Sequence, residues 1–344
     1  MSRTPLPREE PPPADPERVR LAITDIEELM AAACRAAHVP APAARQVAAH
    51  FLEGELRGKP SHGLAKFAFE SRFFPERQAE PEIVHQHGAF TVIDAHREIG
   101  PLSASFAAQV ATDRARRLGV GVAGVINTQR YGILATFSEQ IADHGLLAIV
   151  ANTSRPEAVV HGASAPLLGV NPVSFAIPTT DGSMCADMST TLAPMGVLWE
   201  ARRSGTPLPA DAFVDAHGDF TTDPAAAHAA MVFGEHRGFA LSLLIQVLTG
   251  SLFGFPMGTQ VDSTWSTGYV FLALDPAFAG QGGSYREANS QLATALCPQG
   301  AGMRLPGQRS AERARMARLR GHLDVDRALL GRLQARAAGD FTSD

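Results

Sequence analysis

Between residues 19 and 58 apolar side chains recur every three to four positions, in VRLAITDIEELMAAACRAAHV and again in AARQVAAHFLEGELRG, with a proline-containing break between them. That period belongs to helices with one buried face. Asp25 stands where a cap would sit, with Ile26, Leu29 and Met30 on the apolar face. Residues 90–94, FTVID, read as a short strand. Residues 103–118, SASFAAQVATDRARRL, suit a helix through Phe106, Val110 and Leu118 with alanines between. Arg114, Arg116 and Arg117 collect near its C-terminal end, where the helix dipole favours cations. A Val/Gly/Ile strand at 120–126 follows. Then come a helix over 131–144 closed by Gly145, and strands at 146–151, 173–177, 183–187 and 267–274. Residues 215–224 are turn-rich, and terminal helices cover 313–325 and 328–338.

Helices alternating with strands imply an α/β core. The helical segments at the two chain ends are expected to pack together, giving a helical domain from residues 19–89 with 300–344 around an α/β domain over 90–299. Residues 1–18 are proline-rich and charged with no apolar core, so they read as a disordered arm rather than a signal peptide. The longest apolar stretch, residues 239–257, contains Gln246, internal glycines and a proline, and its helical part ends near Phe253. It is too short for a comfortable membrane span and reads as a buried helix of a cytoplasmic protein.

Gly119, Gly121 and Gly124 spell G-x-G-x-x-G. A dinucleotide-binding turn needs a strand before those glycines and a helix after them. Here the order is helix, glycine, strand, so Gly119 reads as the residue closing a helix and the Rossmann reading is rejected. Length suits about two domains, and a formal net charge of −5 gives no reason to expect nucleic-acid binding. Cys34, Cys185 and Cys297 are scattered, in no C-x-x-C pairing. That argues against a disulfide framework and a zinc site, and no metal is expected.

Three stretches carry candidate chemistry. Pro60-Ser61-His62-Gly63 places a hydroxyl beside an imidazole able to hold and release a proton near neutrality; the alternative is a surface loop whose Ser61 caps the next helix. Gly234-Glu235-His236-Arg237-Gly238 puts a cation and glycines at a helix start, where unpaired N–H groups bind anions; the alternative is an ordinary start to the helix. Leu305-Pro306-Gly307-Gln308-Arg309, after Arg304, could clamp a phosphate between planar cations; the alternative is a solvated loop.

Taken in order with GELRGKPSHG (54–63), EIGPLSA (98–104), NTQRYG (127–132), LLGVNPVSFAIP (167–178), ADMSTT (186–191), DAHGDFTTDP (215–224), GEHRGFALS (234–242) and RLPGQR (304–309), the chain resembles the malate/L-lactate dehydrogenase-like family. The wording of HRGFALS and VDAHGDFTTDP is most similar to its Δ1-piperideine-2-carboxylate/Δ1-pyrroline-2-carboxylate reductase branch. The resemblance implies an α/β, non-Rossmann NAD(P)-binding fold of the sulfolactate/malate dehydrogenase-like type. That fold has a mixed sheet and a helical second domain built from both chain ends. It implies a homodimer that uses NADP(H), with NAD(H) as the alternative, on a small-molecule substrate. His62 is implied as proton donor and Ser61 as its relay partner. Arg130, Tyr131, Gly132, Asp187, Met188, Ser189, Arg237, Gly238, Pro306, Gly307, Gln308 and Arg309 fall on segments that touch the cofactor.

The departures from the family pattern cluster in the implied pocket. Arg130 stands where the family commonly has His, and can bind an anion but not act as an acid or base. Lys66 replaces the arginine that holds the substrate carboxylate, keeping the charge and losing the bidentate fork. Val170 replaces a threonine, and Met195 and Val197 lie where the imine branch carries His and Asp. Lys66, Arg130, Val170 and Met195 are thus the implied substrate contacts. The expected reaction is NADPH-dependent reduction of the C=N bond of a cyclic imino acid. The alternatives are a malate- or lactate-like 2-hydroxy acid dehydrogenase, and a non-catalytic homologue that binds a nucleotide or carboxylate.

Overall fold

The computed structural model describes residues 17–297 and 302–342. Nearly all of the proline-rich arm lies outside the described residues, and Arg18 is already in a strand. In chain order the elements begin with β1 (Arg18–Ala22), α1 (Ile23–Ala36), α2 (Ala41–Leu56), α3 (Leu64–Glu70), β2 (Glu82–His87) and β3 (Phe90–Asp94). They continue through α4 (Gly100–Leu118), β4 (Val120–Ile126), α5 (Ala135–Ala142), β5 (Leu147–Asn152), β6 (Ala158–Val159), β7 (Val173–Thr179) and β8 (Gly182–Met188). Next come α6 (Met195–Ser204), β9 (Phe213–Val214), β10 (Ala229–Met231), α7 (His236–Thr249) and β11 (Tyr269–Leu274). The chain closes with α8 (Tyr285–Leu296), α9 (Gln308–Arg320), β12 (His322–Asp326) and α10 (Arg327–Ala337).

The two chain ends share one core. Ile26, Met30, Val47, Phe51, Phe67 and Phe74 pack with Ala314, Ala317, Val325 and Leu333. An antiparallel ribbon of β1 with β12 joins them, from Arg18 opposite Asp326 to Ala22 opposite His322. This ribbon corrects the sequence reading of a helix over 313–325. Gly321, at φ +74°, closes α9, and HLDVD then runs as a strand with Val325 turned inward. Asp25 does not cap α1: Ala22 occupies the cap position with no side-chain bond, and Asp25 sits in the first turn, where its charge still suits the dipole.

The main sheet is seven-stranded and mixed, in the order β2-β3-β4-β11-β5-β7-β8, with only β3 and β4 parallel. Because β2 pairs with β3, the sheet starts at residue 82 rather than 90. The glycines that spell G-x-G-x-x-G serve packing. Gly119 closes α4 at φ +82°. A Cβ at Gly121 would overlap the Ala111 carbonyl, and one at Gly124 would meet the Phe253 ring at 2.6 Å. The bare Gly121 lets α4 lie on β4 through the alanines at 104, 107, 108, 111 and 115, and Gly124 makes room for Phe253 on the opposite face. A second, three-stranded sheet, β6-β10-β9, carries α6 at its side.

α7 corrects the expectation of a buried helix. It packs on β5 and β11 through Ile245, with Leu241 and Leu248 partly covered. Its inner face also holds Ser242 and Gln246, both bonded to Asn171. The outer face leaves Leu243 49% and Leu244 53% exposed, beside exposed Phe239 and Val247. A helix apolar on its outside and polar within lacks the usual solvent-facing stripe.

Candidate active site

The segment GELRGKPSHG turns the chain back on α2. The turn works because two glycines lack side chains. A Cβ at Gly54 would meet the His62 carbonyl oxygen at 2.6 Å, and one at Gly63 would meet the Glu55 backbone N at 2.7 Å. Glu55 fastens the turn by accepting the N–H of Leu64 at 3.0 Å. Pro60–His62 form one 3-10 turn, which settles the open choice for Ser61: it does not cap α3, whose flanking residue is Gly63. Its Oγ lies 3.0 Å from His62 Nδ1 instead. Burial, aided by the charge of Lys66, pushes the His62 imidazole down to about 4, and Asp187 opposes that shift.

Ser61 opens onto a cavity of about 500 Å³, within the usual range for small-ligand sites. Lys66, Phe69 and Arg332 from the helical unit, Arg130, Thr153 and Glu157 from the α/β unit, and Gly196, Trp199 and Arg203 from α6 line it. Behind its wall lies Glu70, 1% exposed. One oxygen of Glu70 pairs with Lys66 Nζ and with Arg130 Nε, each at 2.9 Å. Burial holds the Lys66 ammonium below its usual range, Glu70 pulls it back up, and Arg130 pushes it down. Arg130, whose direction the sequence left open, faces this cavity, and its guanidinium lies 5.0 Å from the Phe69 ring centroid.

Two implied substrate contacts sit elsewhere. Met195 is buried among Ala193, Leu198 and Phe213, and Gly196 forms the cavity wall in its place. Val170 packs against the same cluster, with its N–H on Ser154 Oγ and its carbonyl accepting from Thr190.

The implied cofactor segments meet along the end of β8. The Asp187 carboxylate accepts the N–H groups of Leu134 and Ala135 at 3.1 and 3.2 Å, and stands 3.3 Å from Lys59 Nζ. These bonds start α5 at residue 135, four residues later than the sequence spacing suggests. Pro306, Gly307, Gln308 and Arg309 form the start of α9, and Gly307, at φ +83°, lies against the Cys185 backbone just before Asp187. On the other side Ser189 bonds Thr191, and Thr190 accepts the N–H of Phe233 ahead of Arg237 and Gly238. Met188 is exposed. Tyr131 differs from its implied role. Its ring is buried, stacked on Tyr269 at 3.7 Å, and burial raises its hydroxyl well above the usual value. Its carbonyl accepts from the buried His50 Nε2, and Gly132, at φ +81°, leaves room for that ring. Of these two residues only Gly132 is therefore partly open to a ligand.

Sequence reading missed Glu70, Gly196, Trp199 and Arg332. Glu70 was findable, since it follows Lys66 by one helical turn. The other three carry no local signal. Among the described residues no group of three or more His, Cys, Asp or Glu side chains could hold a metal ion, and no helix is long and apolar enough to cross a membrane.

Residues 21–334 match the malate/L-lactate dehydrogenase family. The (2R)-3-sulfolactate dehydrogenase (NADP(+)) of Chromohalobacter salexigens is 30% identical over 335 residues, covering 92% of this chain and 98% of its own. The Δ1-pyrroline-2-carboxylate/Δ1-piperideine-2-carboxylate reductase of Pseudomonas putida is 28% identical over 331 residues, covering 91% and 96%. The crystal structure of Δ1-piperideine-2-carboxylate reductase from Pseudomonas syringae superposes with a TM-score of 0.82 at 25% identity, over 92% of this chain and 99% of that one.

Proposed function

The chain belongs to the malate/L-lactate dehydrogenase family of oxidoreductases, and from that premise we propose that it uses NADPH to reduce the C=N bond of a cyclic imino acid beside its carboxylate, with His62 as the proton donor. The observation that carries this reading is Ser61 on the wall of a cation-lined cavity, with its Oγ against the Nδ1 of the adjacent His62. NADP(H) fits the trough beside β8. Gly307 brings backbone close without a side chain, and in a cleft of about 430 Å³ beside it Arg304, Arg309, Arg313 and Arg320 outnumber the carboxylates of Glu55 and Glu312. NAD(H) is the alternative. When bound, the nicotinamide supplies the hydride.

The chain's own residues do the rest. The cavity keeps a positive edge because Lys66, Arg130, Arg155, Arg203 and Arg332 line it against Glu157, with Glu70 behind the wall paired to Lys66 and Arg130. A substrate carboxylate binds there and turns its reactive carbon toward His62. Ser61 fixes the imidazole through Nδ1. Phe69 and Trp199 narrow the cavity and displace water.

A second reading is oxidation of a 2-hydroxy acid, and the state of His62 favours it. An imidazole held near 4 is neutral at pH 7 and ready to take a proton rather than give one. Reduction then depends on the bound carboxylate, whose negative charge raises the imidazole toward its ordinary value. The exposed apolar face of α7 supports a homodimer. The three free cysteines suit a reducing compartment, and we place the enzyme in the cytoplasm.

The test is NADPH oxidation by the purified protein with Δ1-piperideine-2-carboxylate and Δ1-pyrroline-2-carboxylate, against oxaloacetate and pyruvate. Faster turnover of the imines supports the first reading. Faster turnover of the ketones supports the second. No turnover of any would mean that the pocket serves a different substrate or none, and would put the non-catalytic binder on equal standing. His62→Ala keeps NADPH binding and loses about 10²–10⁴-fold in turnover; an unchanged rate removes His62 from the mechanism.

A further inference from the structure

Among the described residues that line the cavity, Glu157 carries the one carboxylate, in a wall that also holds Lys66, Arg130, Arg155, Arg203 and Arg332. Its backbone is fixed on both sides just before β6. Its N–H donates to the Leu168 carbonyl at 3.0 Å, and its own carbonyl accepts the N–H of Ala230 at 2.8 Å. The side chain therefore starts from an anchored point, and it is partly buried. Burial raises its carboxyl, and Arg155, Arg130 and Lys66 lower it through their charge rather than through a hydrogen bond.

Lys66 and Arg130 do not need Glu157 as a countercharge, because they share Glu70 behind the wall, each at 2.9 Å. Two cations and a separate carboxylate thus stand on one cavity, within reach of each other's charge and not closed on each other. That is the complement of a ligand with both signs a bond or two apart: a carboxylate, and beside it a nitrogen that bears a proton. A 2-oxo acid puts in the same place an oxygen that can only accept, facing a negative charge. A site built to bond a substrate N–H rejects the analogue without it, because the polar group of the site is then left unpaired.

We propose that Glu157 is the specificity residue of this cavity: it accepts the N–H of the substrate nitrogen, and so selects 2-imino acids over 2-oxo acids of the same size. This rests on the imine reading of the site and names the side chain that enforces it. The imine nitrogen takes the proton from His62, the carbon takes the hydride, and the amine results. Glu157 neither gives nor takes a proton; it stays ionised beside the nitrogen while that atom is positively charged. A negative charge there also raises the affinity of the nitrogen for the proton, which matters because the His62 imidazole is neutral at pH 7.

The experiment sets Δ1-piperideine-2-carboxylate against 2-oxohexanoate, which keeps the carbon count and puts oxygen in place of nitrogen. The wild type should prefer the imine. Glu157→Gln, which keeps the shape and removes the charge, should lose roughly 10²-fold in kcat/KM on the imine and change by under about 3-fold on the oxo acid, with Glu157→Asp recovering part. A carboxylate that only tunes Lys66 and Arg130 would move both substrates alike, so equal changes overturn the proposal, as does a wild type that prefers the oxo acid. An unchanged imine rate in Glu157→Gln overturns the assignment and leaves the reductase reading standing. A second readout needs no turnover. Pipecolate should raise the melting temperature of the wild type and not of Glu157→Gln, whereas cyclohexanecarboxylate, the same ring without nitrogen, should act on both alike. That pattern without turnover of any substrate upholds the nitrogen site and removes the reductase reading. A pipecolate shift that survives in Glu157→Gln, or none in the wild type, overturns the site itself.

Discussion

Gly196→Ala isolates the geometry of the proton-transfer pair. Gly196 lies in the first turn of α6, and a Cβ built there would stand 2.5 Å from Ser61 Cβ and closer still to its Oγ. Ordinary carbon contacts are at about 3.5–4.0 Å, so Ser61 and α6 must separate by about 1 Å. Ser61 Cβ cannot rotate away, and the turn is already fixed by Gly54 and Gly63 against α2. The displacement therefore reaches the 3.0 Å contact between Ser61 Oγ and His62 Nδ1. A misplacement of about 1 Å can lower turnover by about 10²-fold, and overpacking typically destabilises by about 1–3 kcal/mol. The assay is kcat with the fastest substrate, alongside thermal melting and NADPH affinity. We expect kcat about 10²-fold lower with NADPH affinity retained. In a Ser61→Gly background the same substitution should add almost nothing, because the atoms it strikes are gone. A wild-type rate for Gly196→Ala, or an undiminished loss in the Ser61→Gly background, refutes the reasoning.

Glu70→Gln leaves the buried Lys66 beside the cavity-facing Arg130 without their countercharge, so urea unfolding should show a loss of about 3 kcal/mol, the low end of the buried-pair range; adding Lys66→Met should recover much of it, and additive losses would show that the three groups are not coupled. His50 is held down to about 4 by burial, below its unfolded value near 6.5. As pH falls from 6.5 toward 4 the unfolded chain takes up the proton first, so about 3 kcal/mol of stability is lost across that window, and His50→Gln should flatten the slope measured by denaturation at stepped pH. Leu243→Asp with Leu244→Asp should convert a dimer to a monomer in light scattering at unchanged far-UV circular dichroism; an unaltered mass places the interface elsewhere.

Local sequence was informative wherever local physics decides. The strand at 120–126 and the closing Gly119 follow from composition and from backbone freedom at positive φ. Ser61 and His62 are adjacent, so their pairing is nearly built into the chain. Where a distant partner decides, the reading drifted. Residues 322–326 are a strand because β1, some 300 residues earlier, supplies the other half of the ribbon. α5 starts late because Asp187 takes its first N–H groups.

The family motifs, the alternation of helices and strands, and the segments that carry polar chemistry are legible along the chain, because each depends on residues within a turn or two of one another. The tertiary structure decided which of those side chains face a common space. It turned Tyr131 and Met195 into the core and put Gly196 on the cavity wall in place of Met195. It joined Lys66 and Arg130 through a buried carboxylate, and brought Arg332 to the site from the last helix. Facing and burial depend on contacts between residues far apart in the chain, and no local pattern of apolar and polar positions records them.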